Sequence, residues 1–297
     1  MHLEREYFIV SLRGKTAIVG IGEIPTQRTY PGRSTYSLCA EATRLAITDS
    51  GLRKADIDGM ITSGEHVGPL DLAEYMGLHL SYCEGITQHG STGAHTVAAA
   101  AAAISSGLAN TILCVLGGAR DPAAAGSGAS APQSLPPATK LTEFEVPYGP
   151  VAGMNGPYGL MKQRHMFEYG TTQEQFAKIA VNQRFNALKN PNAVFKDQPI
   201  TVDDVLNSRF INEPMHILES VMPCGGAAAC IVTTAERARS LPNPPVYILG
   251  AAAGVTDHDI LSQAPNITTT PVVISARKAY EMAGYGPKDM EYAQFYD

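Results

Sequence analysis

The sequence predicts an α/β fold: a parallel sheet covered by helices, built on a strand–helix–strand unit that occurs twice and interrupted by a helical insertion. Three observations lead there. Short branched apolar runs alternate with stretches of helical periodicity, the pattern of strands joined by crossover helices. The stretch Ala46–Met60 (AITDSGLRKADIDGM) has a counterpart at Ala279–Ala293 (AYEMAGYGPKDMEYA), which places Gly51 over Gly284, Asp56 over Asp289 and Asp58 over Glu291. The chain has 297 residues, 44% hydrophobic and 17% charged, enough to bury a large core.

Each element has its own signal. Thr16–Gly22 (TAIVGIG) is a short branched run ending in glycine and reads as a buried parallel strand. Ser34–Ser50 carries Leu38, Ala42, Leu45 and Ala46 at helical spacing and is closed by Gly51. Ile57–Thr62 and Tyr82–Thr87 read as the next strands, Gly93–Ser106 as a small-residue helix and Thr111–Leu116 as a further buried strand. No charge occurs between His95 and Asn110, so that helix is expected to be deeply buried between layers. Ala, Gly, Ser and Pro dominate from Ala119 to Lys140, the composition of a long loop. Pro157–Tyr169, Thr172–Leu188 and Val202–Asn207 then read as helices of an insertion, the second opened by Thr172 with Glu174 and Gln175 in its first turn. The strand pattern returns at Ala227–Thr233 and Val246–Ala252. Residues 1–117 with 208–240 thus form one half, 118–207 the insertion, and 241–297 the start of a second, incomplete half.

The net charge of −6 argues against a nucleic-acid or anionic-membrane partner, although a local basic pocket for an acidic substrate is compatible with it. Cys39, Cys83, Cys114, Cys224 and Cys230 are scattered, odd in number and lack metal or redox spacing, as expected of reduced thiols in a cytoplasmic protein. Met1–Arg13 has no signal-type apolar run, and the alanine-rich Val97–Ile104 is too short to span a bilayer.

The segment Gly85–Ala98 (GITQHGSTGAHTVA) is the strongest candidate for chemistry. It runs from a strand end through a polar, glycine-rich turn into a helix, whose leading N–H groups favour an anion or a developing negative charge. Gly90 and Gly93 allow tight backbone geometry, Ser91 or Thr92 is placed to cap the helix, and His89 and His95 lie close by in sequence.

Taken in order, these motifs resemble the thiolase superfamily, and most closely the sterol-carrier-protein-X or lipid-transfer-protein type. The resemblance rests on Ala17–Pro25 (AIVGIGEIP), Ala46–Leu52, the DIDG turn Asp56–Gly59, Gly226–Ala229 (GAAA) and Lys278–Asp289, and it covers Lys15 to Asp297. It implies a thiolase fold, two duplicated βαβ halves layered α-β-α-β-α with a helical loop-domain insertion. It also implies a CoA thioester as substrate and no covalently bound cofactor. Met154 and Met161, with Gly90 and Gly93, are then expected along the path of the CoA ester, and Lys162, Arg164, Lys178 and Arg184 near its phosphates.

Departures from the family pattern sharpen the reading. A thiolase places its nucleophilic cysteine before the buried helix, where this chain has Gly90-Ser91-Thr92-Gly93. Ser91 sits one position later, and Cys83 lies seven residues before Gly90, on or beside a strand. At the family's later motif the chain has Tyr296-Asp297, and a tyrosine there resembles a cysteine-less subgroup of aldolases that cleave β-hydroxyacyl-CoA thioesters of steroid side chains. The expected reaction is therefore a retro-aldol cleavage, with Tyr296 in proton transfer and Asp297, His89 and Ser91 beside it. A thiolase-type acyltransferase and a non-catalytic acyl-CoA-binding or assembly subunit are the alternatives. The resemblance also implies a homodimer through Tyr82–Thr87 and a small zinc-ribbon/OB-fold partner protein.

Overall fold

The first strand, β1 (Thr16–Glu23), is followed by a helix whose punctuation is written in the sequence. In this computed structural model, which describes residues 11–64, 67–119, 155–256 and 266–295, α1 spans Thr35–Ser50. Ser34 Oγ accepts the Ser37 N–H at 3.1 Å, and Gly51 ends the helix in the left-handed region at φ 71°. Leu38, Ala42, Ala46 and Ser50, at four-residue spacing, form a buried stripe. Small residues in that stripe let the helix lie unusually close to the strand: a Cβ on Gly20 would stand 2.6 Å from the Ala46 carbonyl oxygen.

The remaining elements of the sheet are β2 (Gly59–Ser63), α2 (Pro69–Met76), β3 (Tyr82–Ile86), α3 (Thr92–Ser105), β4 (Thr111–Gly118), β7 (Gly226–Thr234) and β8 (Val246–Tyr247). Their order across the sheet is β3-β2-β4-β7-β1-β8. The β2–β3 and β2–β4 ladders are parallel. Helices α1 and α2 pack on one face, with Leu38, Met60, Leu72, Leu113 and Ile231 at the centre of that core. Helix α3 packs on the other, over Ile61, Ile112, Cys114 and Val232.

The start of β2 is fixed by two carboxylates of the acidic turn. Asp58 accepts the Asn110 N–H at 2.9 Å, the Asn110 side-chain amide at 2.9 Å and the Thr111 N–H at 2.7 Å. Its own carbonyl takes the N–H groups of Ser81 and Tyr82. Asp56 accepts the Arg53 N–H at 2.8 Å and pairs with the guanidiniums of Arg53 at 3.0 Å and Arg237 at 3.1 Å. These donors, those of Arg53 foremost, hold its carboxyl well below the usual range.

Between β4 and β7 no described residue enters this sheet. The segment instead forms α4 (Asn155–Tyr169), α5 (Gln173–Ala187), α6 (Val202–Leu206) and a hairpin of β5 (Phe210–Asn212) with β6 (Met215–His216). The α5 start signal is realised as a capping box, Thr172 Oγ1 accepting the Gln175 N–H and Gln175 Oε1 the Thr172 N–H. One buried ion pair fastens α4 to the turn after the hairpin. Lys162 Nζ donates to both oxygens of Glu219, at 2.5 and 2.7 Å, and the two side chains are only 7% and 9% exposed. Glu219 also accepts the His216 N–H, and Lys162 stands 4.9 Å from the Phe176 ring centroid on α5.

The duplicated unit is visible in atomic detail. A short helix α7 (Ala235–Ala238) follows β7, and helix α8 (Val272–Ala283) ends at Gly284 with φ 69°, as α1 ends at Gly51. Asp289 accepts the Gly286 N–H at 2.7 Å, as Asp56 accepts that of Arg53. A Cβ on Gly250 would strike the Ala279 carbonyl oxygen, and Ala279 is the residue aligned with Ala46.

Four expectations are corrected. Strand β1 runs in the same direction as β2, β3 and β4, but its ladder partners β7 and β8 are both antiparallel to it, because β7 returns between β1 and β4. The expected strand Val246–Ala252 pairs only over Val246–Tyr247, and residues 290–295 form no strand; among the described residues neither finds a longer ladder partner. Helix α3 is buried on one side only: Thr92, Thr96, Ala100 and Ile104 face the sheet, while Ala94 and Ala102 are exposed. Helix α2 and the β5–β6 hairpin gave no signal in the sequence. The expected loop 119–140 lies outside the described residues except for Ala119.

Asp58→Ala orphans the Asn110 and Thr111 amides, and hydrogen bonds to a charged acceptor are worth about 1.5–3 kcal/mol each. Urea unfolding is expected to show a loss of about 3 kcal/mol, with the slope unchanged. Asp56 has a depressed folded pKa, so its contribution is present above the unfolded carboxylate value of about 3.9 and is lost as pH falls through and below it. Asp56→Asn is expected to flatten the acid limb of a stability–pH curve below about pH 4, read by thermal unfolding.

Candidate active site

The C-terminal ends of β2, β3 and β4 and the N-terminal end of β7 lie on one edge of the sheet, where Gly118 faces Gly226. The polar turn predicted to carry chemistry sits on that edge. A 3-10 turn, His89–Ser91, leads from β3 into α3 at Thr92.

The turn is held by side chain–backbone bonds, though not by the expected cap. Ser91 has helical backbone angles and its hydroxyl donates back to the Gln88 carbonyl at 2.8 Å. Thr92 Oγ1 accepts the Gln88 N–H at 2.9 Å. Ser91 occupies the N-cap position without capping through its side chain, because the chain is already wound helically before α3 begins. The N-terminal end of α3 lies at the rim of the sheet, and Ser91 makes no side-chain cap bond to it. Gly90 is exposed, and around Gly93 an added Cβ would meet nothing within 4 Å, so the surface beside the turn is open. His95 is half-buried on the first turn of α3. Met161 is half-buried on α4, while Met154, Tyr296 and Asp297 lie outside the described residues.

Cys39, Cys83 and Cys114 are poorly placed to act as nucleophiles. Cys83 is half-buried in β3, on the face that carries α1, and burial pushes its thiol up. Cys39 is buried in α1 and pushed up to about 11. Cys114 lies under α3, opposite Cys230 in the β4–β7 ladder, and its S–H donates to the Thr96 carbonyl at 3.5 Å. The contact with Cys230 raises Cys114 and lowers its partner; Cys114 is buried and Cys230 half-buried. Cys224 is exposed and stands two residues before Gly226 on the same edge as the turn.

The basic residues expected near CoA phosphates divide into two groups. Lys162 is spent on Glu219, and Arg164 pairs with Glu168 at 2.5 Å. Lys178 is exposed, and Arg184 stacks on Phe195 at 4.1 Å. Sequence reading missed Glu219, whose partner lies 57 residues away, a separation that no local pattern reveals.

Comparison with known proteins agrees with this architecture. Residues 253–297 match the family described as thiolase C-terminal domain-like. A steroid side-chain-cleaving aldolase of Thermomonospora curvata is 33% identical over 96% of this chain and 75% of its own length. The chain belongs to the thiolase-like family. Also similar to this thiolase-like protein is the 17-hydroxy-3-oxo-4-pregnene-20-carboxyl-CoA lyase of Mycobacterium tuberculosis, 31% identical over 96% of this chain and 76% of the lyase. The solved structure of the Ltp2-ChsH2(DUF35) aldolase superposes with a TM-score of 0.80 at 31% identity, covering 94% of this chain and 72% of that one. No helix among the described residues is long and apolar enough to cross a membrane.

Exposure ranks the thiols for a direct measurement. Brief iodoacetamide treatment of the native protein is expected to label Cys224 first and to leave Cys39 and Cys114 unmodified until the protein is unfolded, as read by peptide mass spectrometry.

Proposed function

We propose that this thiolase-like chain is a carbon–carbon lyase that cleaves a β-hydroxyacyl-CoA by a retro-aldol reaction, releasing a ketone or aldehyde and a shorter acyl-CoA. The observation that carries the reading is the turn before α3. Where a thiolase has its nucleophilic cysteine, this chain has the exposed Gly90, and the nearest strand thiol, Cys83, is half-buried, which pushes its pKa up.

The reaction has no need of that sulfur. A base removes the β-hydroxyl proton, and the oxygen electrons form the new carbonyl as the Cα–Cβ bond breaks. The bond pair moves into the thioester as an enolate, which then takes a proton at Cα. Tyr296, with Asp297 beside it, is the group we assign to the hydroxyl proton. The N-terminal end of α3, whose dipole favours a developing negative charge, is the element we assign to the enolate oxygen, with Ser91 and His89 in the same turn. Gly90 and Gly93 leave room for the thioester, and Met161, with Met154, is assigned to the path of its acyl arm.

The related aldolase and lyase support a steroidal acyl part as the first to test. In the same reading residues 118–207 form a loop domain over the acyl-CoA, and the protein works in the cytoplasm. It forms a homodimer through the free side of the edge strand β3, and it associates with a small zinc-ribbon/OB-fold protein. The two components in the name of the Ltp2-ChsH2(DUF35) aldolase favour that association.

Products from a panel of β-hydroxyacyl-CoA and β-ketoacyl-CoA esters, identified by mass spectrometry with the partner present, test the reading. Cleavage of the hydroxy esters alone is expected, with no acyl adduct on any cysteine. Tyr296→Phe is expected to lower kcat by about 100-fold or more, the usual range for losing a proton-transfer group. Cleavage of keto esters that requires free CoA, or an acylated cysteine, would overturn it.

A further inference from the structure

We propose that Cys114 and Cys230 are a disulfide-forming pair, oxidised by a hydroperoxide, whose bond displaces α3 and so disturbs the candidate site at its N-terminal end. The pairing is independent of which reaction that site performs.

The register of the sheet brings the two thiols together. Cys114 of β4 and Cys230 of β7 stand directly opposite one another in an antiparallel ladder. Opposed residues of such a ladder have Cα atoms about 4.5–5.5 Å apart, within the roughly 4.4–6.8 Å span of a disulfide. Both side chains lie on the face that α3 covers. Ile112, Cys114, Cys230 and Val232 belong to the core under that helix, while Leu113, Ala229 and Ile231 belong to the other. The remaining thiols are elsewhere: Cys39 and Cys83 pack on the opposite face, and Cys224 is exposed ahead of β7. Among the described residues no other two cysteines are ladder partners.

The two sulfurs differ in access. Cys230 is half-buried, within reach of a small neutral oxidant, whereas Cys114 is buried. The contact with Cys114 favours the Cys230 thiolate, which is the reactive form. That thiolate attacks one oxygen of hydrogen peroxide, the O–O bond breaks, and a sulfenic acid and hydroxide result. The Cys114 sulfur then attacks the sulfenic sulfur, the S–O bond breaks, and the departing hydroxide takes the Cys114 proton as water. Two thiols are oxidised to one disulfide, and the peroxide is reduced to two waters.

The bond reaches the candidate site through α3. Cys114 donates its S–H to the Thr96 carbonyl at 3.5 Å, and the Thr96 hydroxyl donates to the Gly93 carbonyl at 2.8 Å, one turn from the start of the helix. Oxidation removes the S–H and draws the sulfurs from a non-bonded contact to about 2.05 Å. A close-packed interior transmits such a contraction. Helix α3 packs on both β4 and β7, so it carries the change to Thr92 and Gly93.

The test uses the full chain carrying Cys224→Ser, which removes the exposed competitor, treated with a modest excess of hydrogen peroxide. Mass spectrometry of non-reduced peptic peptides is expected to find Cys114 joined to Cys230, and dithiothreitol to restore both thiols. With Cys114→Ala added, dimedone is expected to trap a sulfenic acid on Cys230; with Cys230→Ala instead, Cys114 is expected to remain unmodified. Amide exchange in the first two turns of α3 is expected to be about two- to tenfold faster in the cross-linked protein, as for losing one hydrogen bond, and to return on reduction. A sulfinic acid on Cys230 without a cross-link, a cross-link through Cys83, a cross-link that forms only in urea, or unchanged exchange along α3 in the cross-linked protein would each overturn the proposal. No ester enters these measurements, so failure of the lyase reading would leave the pair standing.

Discussion

The carboxylate of Asp58 is the constraint on which the sheet depends. Its two oxygens collect three donors from the point where the α3–β4 connection enters β4. Its carbonyl collects the two amides that open β3. One residue thus aligns the N-terminal ends of three parallel strands, which local sequence brings together from positions 58, 82 and 111. Because parallel strands keep a constant register, fixing one end fixes the other. The turn of Gln88 to Thr92 inherits its position at the far edge from that alignment.

A second fastening acts on the segment between β4 and β7. The Lys162–Glu219 pair is nearly dry, and a buried pair adds less to stability than its short distances suggest, since desolvation offsets much of the attraction. Its effect is geometric. Lys162 has one carboxylate and one aromatic face to meet, and those belong to the turn that leads into β7 and to α5. The helices are thereby held in one orientation relative to the edge where Cys224, Gly225 and Gly226 approach the α3 turn.

Much of the fold was legible because it is punctuated. Ser34 and Gly51 bracket α1, Thr172 opens α5, and the acidic turn after Gly51 repeats after Gly284. Strand direction was not legible. The runs TAIVGIG and GAAACIVTT have the same composition whether their neighbours run parallel or antiparallel, and only the path of the chain between β4 and β7 decides it. Helix α2 buries little beyond Leu72, too short a pattern to stand out. At the candidate site the turn between β3 and α3 was legible from its residues, but the hydroxyl bonds did not follow from them. Ser91 is wound into helical geometry before the helix starts, so a residue type suited to capping bonds backward to Gln88 instead. Long-range pairings such as Lys162 with Glu219 and Cys114 with Cys230 leave no trace in spacing at all.

The contrast between the two copies of the repeat bears on how the chain acquires its order. Helix α1 buries six residues, while α8 keeps the small residues Ser275, Ala279 and Ala283 at matching spacing and buries none of its twelve. A twelve-residue helix is marginal in water by itself. The first copy therefore carries its own reason to be helical, while the second leaves Val272 and Val273 exposed and has little burial to hold it. Order in α8 is thus held more weakly than in α1, and backbone amide exchange along the two helices would register that difference within one molecule.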